Sequence, residues 1–181
     1  IYQKLEDPAY VTRAMDKIKA LCEDPNGGCV FWSAGAKPPE LLMSGEVVMA
    51  TGWNGRFFNA IMDGAPLTQV WDAQGLDYQY MVVVKGGPNE ADAMKAIKEM
   101  MSTDGLAGSA KHIAYAPFRK SSLAVIEAGE PWYKDGKTNM LPEMPSSKKN
   151  TKKYFLVDAV FWADNSTEIN EQWEAMKAGL N

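Results

Sequence analysis

The sequence predicts an α/β fold, and three observations carry that prediction. Residues 47–50 form a short apolar run that begins with two valines, a profile typical of a strand covered on both faces. A turn bracketed by Gly52 and Gly55 follows, and a helical pattern begins there. The 181 residues are 46% apolar and 23% charged, which is ordinary for a globular protein of one generous domain or two small lobes.

Helices are predicted from caps and from apolar spacing. Asp7 and Pro8 are typical of an N-cap and a first helical residue, and they open an amphipathic helix over residues 8–22. Asn89, with Asp92 three residues later, resembles a shortened capping box. Five other helices are predicted. One begins at Pro38, one follows Trp53 and ends at Asp63-Gly64, two span residues 104–112 and 120–128, and the last begins at Asn165.

Strands are predicted at residues 30–32, 47–50, 67–71 and 76–85. The last segment changes from alternating and aromatic to fully apolar, as expected of a strand that enters a buried sheet. Residues 129–150 are rich in Pro, Gly, Ser and Lys, which predicts a loop that wraps the surface.

Charge and chain ends narrow the class of protein. The net charge of −4 argues against nucleic acid as a partner, and no apolar run has the length of a membrane span. The first residue is Ile1 and no signal peptide is present, so we expect a processed chain or a piece of something longer. Four lysines form a basic cluster that is read as a solvated surface patch: Lys148, Lys149, Lys152 and Lys153.

The two cysteines, Cys22 and Cys29, flank a segment with turn composition, so their thiols can meet. A local disulfide is the preferred interpretation and would place the protein in an oxidising compartment; two free thiols are the alternative. A zinc site is disfavoured, because there is no second cysteine pair and the sequence has one histidine.

No pattern indicates catalysis. The sequence has neither a Gly-rich phosphate loop nor a Gly-x-Ser-x-Gly elbow, and a Ser-His-Asp site would have to use His112. Glu90 and Asp92 are explained by a helix start, and no acidic cluster has metal-ligand spacing. We therefore predict no catalytic residue, no metal and no cofactor.

Aromatic residues recur at the ends of predicted elements: Trp53, Tyr78, Tyr80, Tyr115 and Trp162. Aromatic walls with a few polar groups are how proteins hold small organic cations. Trp53 follows a predicted strand, where α/β proteins bind ligands, so it either lines a pocket or packs beneath the next helix. Together the five residues predict a binding cleft.

Several segments, in order, resemble the periplasmic spermidine/putrescine-binding proteins, the solute-binding components of ABC importers. Ser-Gly-Glu-Val-Val-Met-Ala-Thr-Gly-Trp-Asn-Gly at 44–55 resembles the signature before the second-lobe pocket of that family. Ile-Ala-Tyr-Ala-Pro at 113–117 resembles its Tyr-x-Pro link, while 88–97 and 162–170 resemble later helices. The resemblance runs over nearly all of the chain.

The resemblance implies two α/β lobes joined by crossing strands, with the solute held in the cleft between them. This chain corresponds to the C-terminal half: residues 1–79 in the second lobe, 80–125 returning to the first, and 126–181 back on the second. It implies a periplasmic protein whose partners are a solute, a membrane permease and the missing N-terminal half of the same protein.

Residue by residue, Trp53 matches the family's stacking tryptophan, with Asn54 in the same motif. Tyr78 falls where the family has another aromatic against the amine chain, and Tyr115 matches an aromatic in the Tyr-x-Pro link. Two positions depart from the pattern. Tyr80 stands where polyamine binders have an acidic residue, and Arg56 stands where the family often has a small one.

Arg56 favours a carboxylate on the ligand, while Asp77 or Asp72 could pair with an ammonium. Alternatively, Arg56 forms a surface salt bridge.

The sequence therefore predicts a binder of a small amine-bearing solute of the polyamine class, held in an interlobe cleft. One alternative is a zwitterion such as 4-aminobutyrate that uses Arg56. From other classes, an α/β hydrolase or transferase would need His112 in the cleft, and an interaction module would have no cleft.

Overall fold

The computed structural model describes residues 1–180, and its elements fall into two units. The first unit combines Ile1–Trp32 with the C-terminal stretch that begins at Phe155, and the second is Ser33–Tyr154. In chain order the elements are α1 (Tyr2–Leu5), α2 (Pro8–Cys22), α3 (Lys37–Met43), α4 (Asn54–Met62), β1 (Gln74–Leu76), α5 (Glu90–Met100), α6 (Thr103–His112), α7 (Lys120–Glu127), a 3-10 turn (Leu141–Glu143), β2 (Tyr154–Leu156) and α8 (Ala159–Ala178).

The first unit is a helical pair in which α2 packs against α8. The predicted start of α2 is confirmed, because the Asp7 carboxylate accepts a hydrogen bond from the Ala9 amide (3.0 Å). The predicted start of the last helix at Asn165 is wrong. Asp158 caps two amides of the first turn, so α8 begins at Ala159. The disulfide between Cys22 and Cys29 is present, as the preferred interpretation predicted.

The second unit has its core around Phe58 of α4 and Ile126 of α7. Trp132, Met140 and Met144 are buried in the same cluster. These three residues belong to the segment predicted to be a surface loop, so that prediction is wrong for them. A loop rich in Pro, Gly and Ser that also contains large apolar side chains can bury those side chains and turn its polar backbone outward.

The other predicted helices are confirmed as α3 to α7. Gly64, just after α4, has a φ of +98°, which is the glycine stop that the sequence predicted. One detail of α5 differs. Asn89 occupies the N-cap position, but its side chain makes no cap hydrogen bond, whereas the Glu90 carboxylate accepts one from the Gly86 amide (3.3 Å).

The predicted strands do not form in the described residues. The one sheet there pairs β1 with β2, and of the predicted strand at 76–85 only Leu76 belongs to it. Residues 30–32, 47–50 and 67–71 are irregular, and Val48 is 93% exposed. A strand exists only when a second strand accepts its hydrogen bonds, and no other segment of residues 1–180 pairs with these runs.

The lobe boundaries predicted near residues 79 and 125 do not coincide with the limits of the two units. They describe how the chain would divide within a longer two-lobed protein, so the lobe assignment stays a prediction.

Candidate functional site

The start of α4 gathers several of the predicted site residues. Trp53 is the N-cap of the helix, in extended conformation, and its side chain is 55% exposed. It provides no side-chain cap, and its carbonyl accepts a hydrogen bond from the Arg56 amide (2.9 Å). The helix therefore begins with first-turn amides that no side chain caps, and these carry the positive end of the helix dipole.

Two glycines allow aromatic rings to lie directly on the backbone here. A Cβ atom on Gly35 would overlap the six-membered ring of Trp53. A Cβ atom on Gly55 would lie 2.8 Å from the Tyr115 ring and 2.8 Å from the Ile113 side chain, closer than real contacts allow. Trp53 and Tyr115 thus flank the first turn of α4 because residues 35 and 55 have no side chains.

Asn54 connects this turn to two remote segments. Its amide donates to the carbonyl of Ala114, in the link before Tyr115, and to the carbonyl of Glu143 (3.4 Å). These bonds hold Tyr115 beside α4, so the structure brings together Trp53, Asn54 and Tyr115, three of the predicted site residues. The sequence did not identify Gly35 or the Glu143 carbonyl, because neither a lone glycine nor a backbone oxygen carries a motif.

Arg56 lies in the first turn of α4 with an exposed side chain. No carboxylate lies within ion-pair distance of its guanidinium among residues 1–180. The alternative of a surface salt bridge is therefore not what the described residues form. A guanidinium beside a helix N-terminus is chemically suited to a carboxylate ligand.

The remaining predicted residues of the second unit lie on the extended segment after β1. Asp77 accepts a long hydrogen bond from the Gln79 side chain (3.5 Å). Tyr78 and Tyr80 are exposed, and within the described chain neither ring makes a hydrogen bond or a ring contact. The structure does not join these three residues to the α4 start, so their part in a site stays a prediction.

Trp162 lies in the first unit. Its indole N–H donates to the Tyr2 hydroxyl (3.3 Å), and its ring packs edge-on against Phe161. The ring also lines an apolar groove of about 320 Å³ between the helices of that unit. Its predicted role as a ligand contact stays a prediction.

His112, the residue that a hydrolase would need, lies at the exposed end of α6. Its Nδ1 forms a hydrogen bond with the Gly108 carbonyl (2.8 Å), and its ring stacks on Tyr133 with the ring centroids 4.3 Å apart. Within residues 1–180 no three His, Cys, Asp or Glu side chains are grouped to hold a metal. No helix in that range is long and apolar enough to cross a bilayer.

Comparison with known proteins gives a consistent result. The sequence profile of a family described as bacterial extracellular solute-binding protein matches residues 2–141. The gamma-aminobutyric acid-binding protein of Pseudomonas aeruginosa is 34% identical over 178 residues, which cover 98% of this chain and 47% of that protein.

Two solved structures are similar in fold. The periplasmic binding protein MotA from A. tumefaciens B6, in complex with glucopine, gives a TM-score of 0.76 at 24% identity, covering 97% of this chain and 51% of that chain. The GABA receptor Atu4243 gives 0.71 at 25% identity, covering 94% and 48%. The likeness confirms the fold class predicted from the sequence. The chain spans about half the length of these relatives.

Proposed function

The chain belongs to the family of bacterial extracellular solute-binding proteins, and from that premise we propose that it is part of the solute-binding component of an ABC importer. The family consists of binding proteins rather than enzymes, which sets aside the hydrolase and transferase alternatives. The extracellular character of the family and the Cys22–Cys29 disulfide support an extracytoplasmic, periplasmic location. The proposed partner in the membrane is a permease that receives the solute.

The proposed solute is a small zwitterion, an amino acid such as 4-aminobutyrate. The observation that carries this choice is Arg56, whose guanidinium has no carboxylate within ion-pair distance among residues 1–180 and lies beside the uncapped start of α4. Both features attract a carboxylate. The rings of Trp53 and Tyr115 lie at the same turn and are 55% and 39% exposed, so they are proposed to contact the rest of the ligand. The name of the 34% identical relative supports the same class of solute.

A polyamine is the competing solute, since the aromatic side chains alone would also suit one. The two ligands make opposite demands on Arg56. A cation beside the guanidinium is repelled, whereas a carboxylate gains charge-assisted hydrogen bonds of about 1.5–3 kcal/mol. Asp77, Tyr78 and Tyr80 are proposed to complete the site around the ammonium group.

We further propose that an N-terminal half of the same protein completes the fold. The exposed apolar residues of the extended segments, such as Val48 and Val82, support this, because they are the positions that a sheet would bury. The binding test therefore uses the longest natural form of the protein that carries this chain.

The test is a thermal-shift comparison of three compounds. 4-Aminobutyrate carries an ammonium and a carboxylate, putrescine carries two ammonium groups, and butyrate carries a carboxylate alone. A ligand at one hundred times its dissociation constant adds about 2.7 kcal/mol of stability. We expect 4-aminobutyrate to shift the melting temperature more than the other two. If putrescine gives the larger shift, the polyamine proposal replaces this one; if no amine or amino acid gives a shift, the solute class is wrong.

Two variants locate the ligand. Arg56→Ala should weaken 4-aminobutyrate binding by at least about tenfold and leave putrescine unaffected or tighter. Arg13→Ala, which removes an exposed arginine from α2, is the matched control. Trp53→Ala should abolish the shift, and Trp53→Phe should retain part of it. An unchanged affinity in Trp53→Ala would place the site elsewhere.

A further inference from the structure

A rigid, strongly basic surface loop lies outside the proposed solute site. We call residues 145–153 the lysine loop; it contains Lys148, Lys149, Lys152 and Lys153, all exposed. Between Glu143 and Asp158 the sequence has no acidic residue, although the chain as a whole carries a net charge of −4. Positive charge is therefore concentrated on one segment of a protein that is otherwise acidic.

The backbone of the lysine loop is held in place by a buried asparagine. Asn150 is 3% exposed, and its side-chain amide donates to the carbonyls of Pro142 (2.8 Å) and Met144 (2.9 Å). The Ser147 carbonyl accepts hydrogen bonds from the backbone amides of Asn150 and Thr151, at 2.9 and 3.0 Å. The lysine backbone is thus part of the folded core rather than a mobile tail.

The first residue of β1 and the residue before it hold the loop at three further points. The Gln74 side chain donates to the carbonyls of Pro145 (2.9 Å) and Asn150 (2.7 Å), and the Ala73 amide donates to the carbonyl of Lys153 (3.0 Å). All of these contacts lie within the second unit. The lysines are therefore presented in a fixed arrangement, which lowers the entropy that a partner must overcome on binding.

The charges of the loop are not used within the described chain. Lys148, Lys149 and Lys152 have no carboxylate within ion-pair distance among residues 1–180. Lys153 approaches Asp72 at 3.4 Å, but both side chains are mostly exposed, and such surface pairs contribute little. Three or four cations are thus available to a partner.

We propose that the lysine loop docks the protein on an anionic phospholipid surface. Exposed ammonium groups act as point charges without the two-pronged geometry that selects one carboxylate or phosphate, so they fit a surface of repeated negative headgroups. Tyr154, half exposed and directly after the last lysine, has the amphipathic ring that suits a bilayer interface. The proposal is independent of the solute, because none of these residues belongs to the α4 start.

The test is co-sedimentation of the same full protein with vesicles of phosphatidylglycerol and phosphatidylcholine, against vesicles of phosphatidylcholine alone. Binding is measured at about 0.01 M and about 1 M salt, where the screening lengths are about 30 and 3 Å. We expect binding to the anionic vesicles at low salt only. Binding that survives high salt, or that occurs equally on phosphatidylcholine, would assign it to exposed apolar residues and overturn the proposal.

The triple variant Lys148→Gln, Lys149→Gln, Lys152→Gln should lower the vesicle partition coefficient about a hundredfold, since each lysine contributes about fivefold. The matched control removes three exposed lysines of other elements that form no ion pair among residues 1–180: Lys17→Gln, Lys98→Gln, Lys120→Gln. We expect it to lose less than about fivefold. Equal losses in the two variants would show a general charge effect and overturn the proposal.

If the wild-type protein does not bind the anionic vesicles, the proposal is also overturned, even if the triple variant impairs uptake in cells. That result would assign the loop to an acidic protein surface. Solute binding is measured on both triple variants, and we expect it to be unchanged. A protein that binds vesicles but no solute would leave this inference standing and refute the proposed function.

Discussion

Two regions of the second unit, both of which carry large apolar side chains, differ in whether those side chains are buried. The region around α6, α7 and residues 130–144 buries Ile126, Trp132 and Met144. Its backbone forms hydrogen bonds within helices and turns of the same region. The extended segment at 78–84 leaves Tyr80 76% and Val82 80% exposed. The difference shows that apolar side chains are buried here when their partners lie within the described chain, and that the backbone alone cannot stabilise a strand.

Hydrogen exchange should show the largest difference between the two regions. Within residues 78–84 no backbone amide donates a hydrogen bond in the described structure, whereas the amides of α6 and α7 lie in helices packed on the core. We expect helix amides to be protected about a thousandfold or more, and those of 79–84 to exchange at nearly intrinsic rates. Protection of 79–84 in the isolated chain would mean that the segment finds a partner strand.

The core and the extended segment at 78–84 should also respond differently when a side chain is shortened to alanine. Phe58 is 1% exposed, so Phe58→Ala should lower the free energy of unfolding by about 3–5 kcal/mol. Val82→Ala, at an exposed position, should change it by less than about 0.5 kcal/mol. Urea unfolding of the chain measures both. A comparable loss at Val82 would contradict the description of that segment as unpartnered.

The contribution of buried polar anchoring is tested at Asn150. Asn150→Ala leaves the carbonyls of Pro142 and Met144 without their donor, so it should lower the free energy of unfolding by about 2–3 kcal/mol. Asn89→Ala is the matched control, since that side chain makes no cap hydrogen bond, and it should change stability by a few tenths of a kcal/mol. Equal effects in chemical denaturation would remove the case for a rigid lysine loop.

The smallest expected effect concerns an exposed turn of the closed region. Three donors form hydrogen bonds to the Asp135 carboxylate and lower its pKa from 3.8 to about 2. The Thr138 hydroxyl has the largest effect, and the amides of Thr138 and Lys137 come next. Because the folded-state pKa is the lower one, its stabilisation is complete above about pH 4 and is lost as the pH falls through about 2. Carboxyl chemical shifts should titrate near pH 2 in the wild type and at a higher pH in Thr138→Ala, which loses the hydroxyl donor and keeps the two amide donors.

Helices were predictable because their signals are local. Asp7 and the glycine after α4 act within a few residues, so the limits of α2 and α4 follow from the sequence. The late start predicted for α8 shows the limit of this reasoning. The apolar run before Asn165 masks the Asp158 cap, although a carboxylate that can reach two amides is the stronger signal.

The strands and the core contribution of residues 130–144 were not predictable in the same way. Whether Val47 to Ala50 forms a strand depends on a partner elsewhere, which no local pattern encodes. Loop composition likewise concealed Trp132 and Met144, because Pro, Gly and Ser report turns and not burial. Within the site, the motif indicated Trp53, Asn54 and Arg56, while the contact with Tyr115 also depends on the carbonyl of Ala114, 60 residues from Asn54.

The amide of Asn54 also has a practical consequence for protein engineering. It spans 60 residues to Ala114 and 89 residues to Glu143, so the position of Tyr115 beside α4 is set by backbone that is distant along the chain. Grafting residues 53–56 onto an unrelated scaffold would transfer the sequence without the carbonyls of Ala114 and Glu143 that bond Asn54. If the proposed site is correct, redesign of ligand preference is better begun at Arg56, whose side chain is exposed and forms no ion pair within residues 1–180.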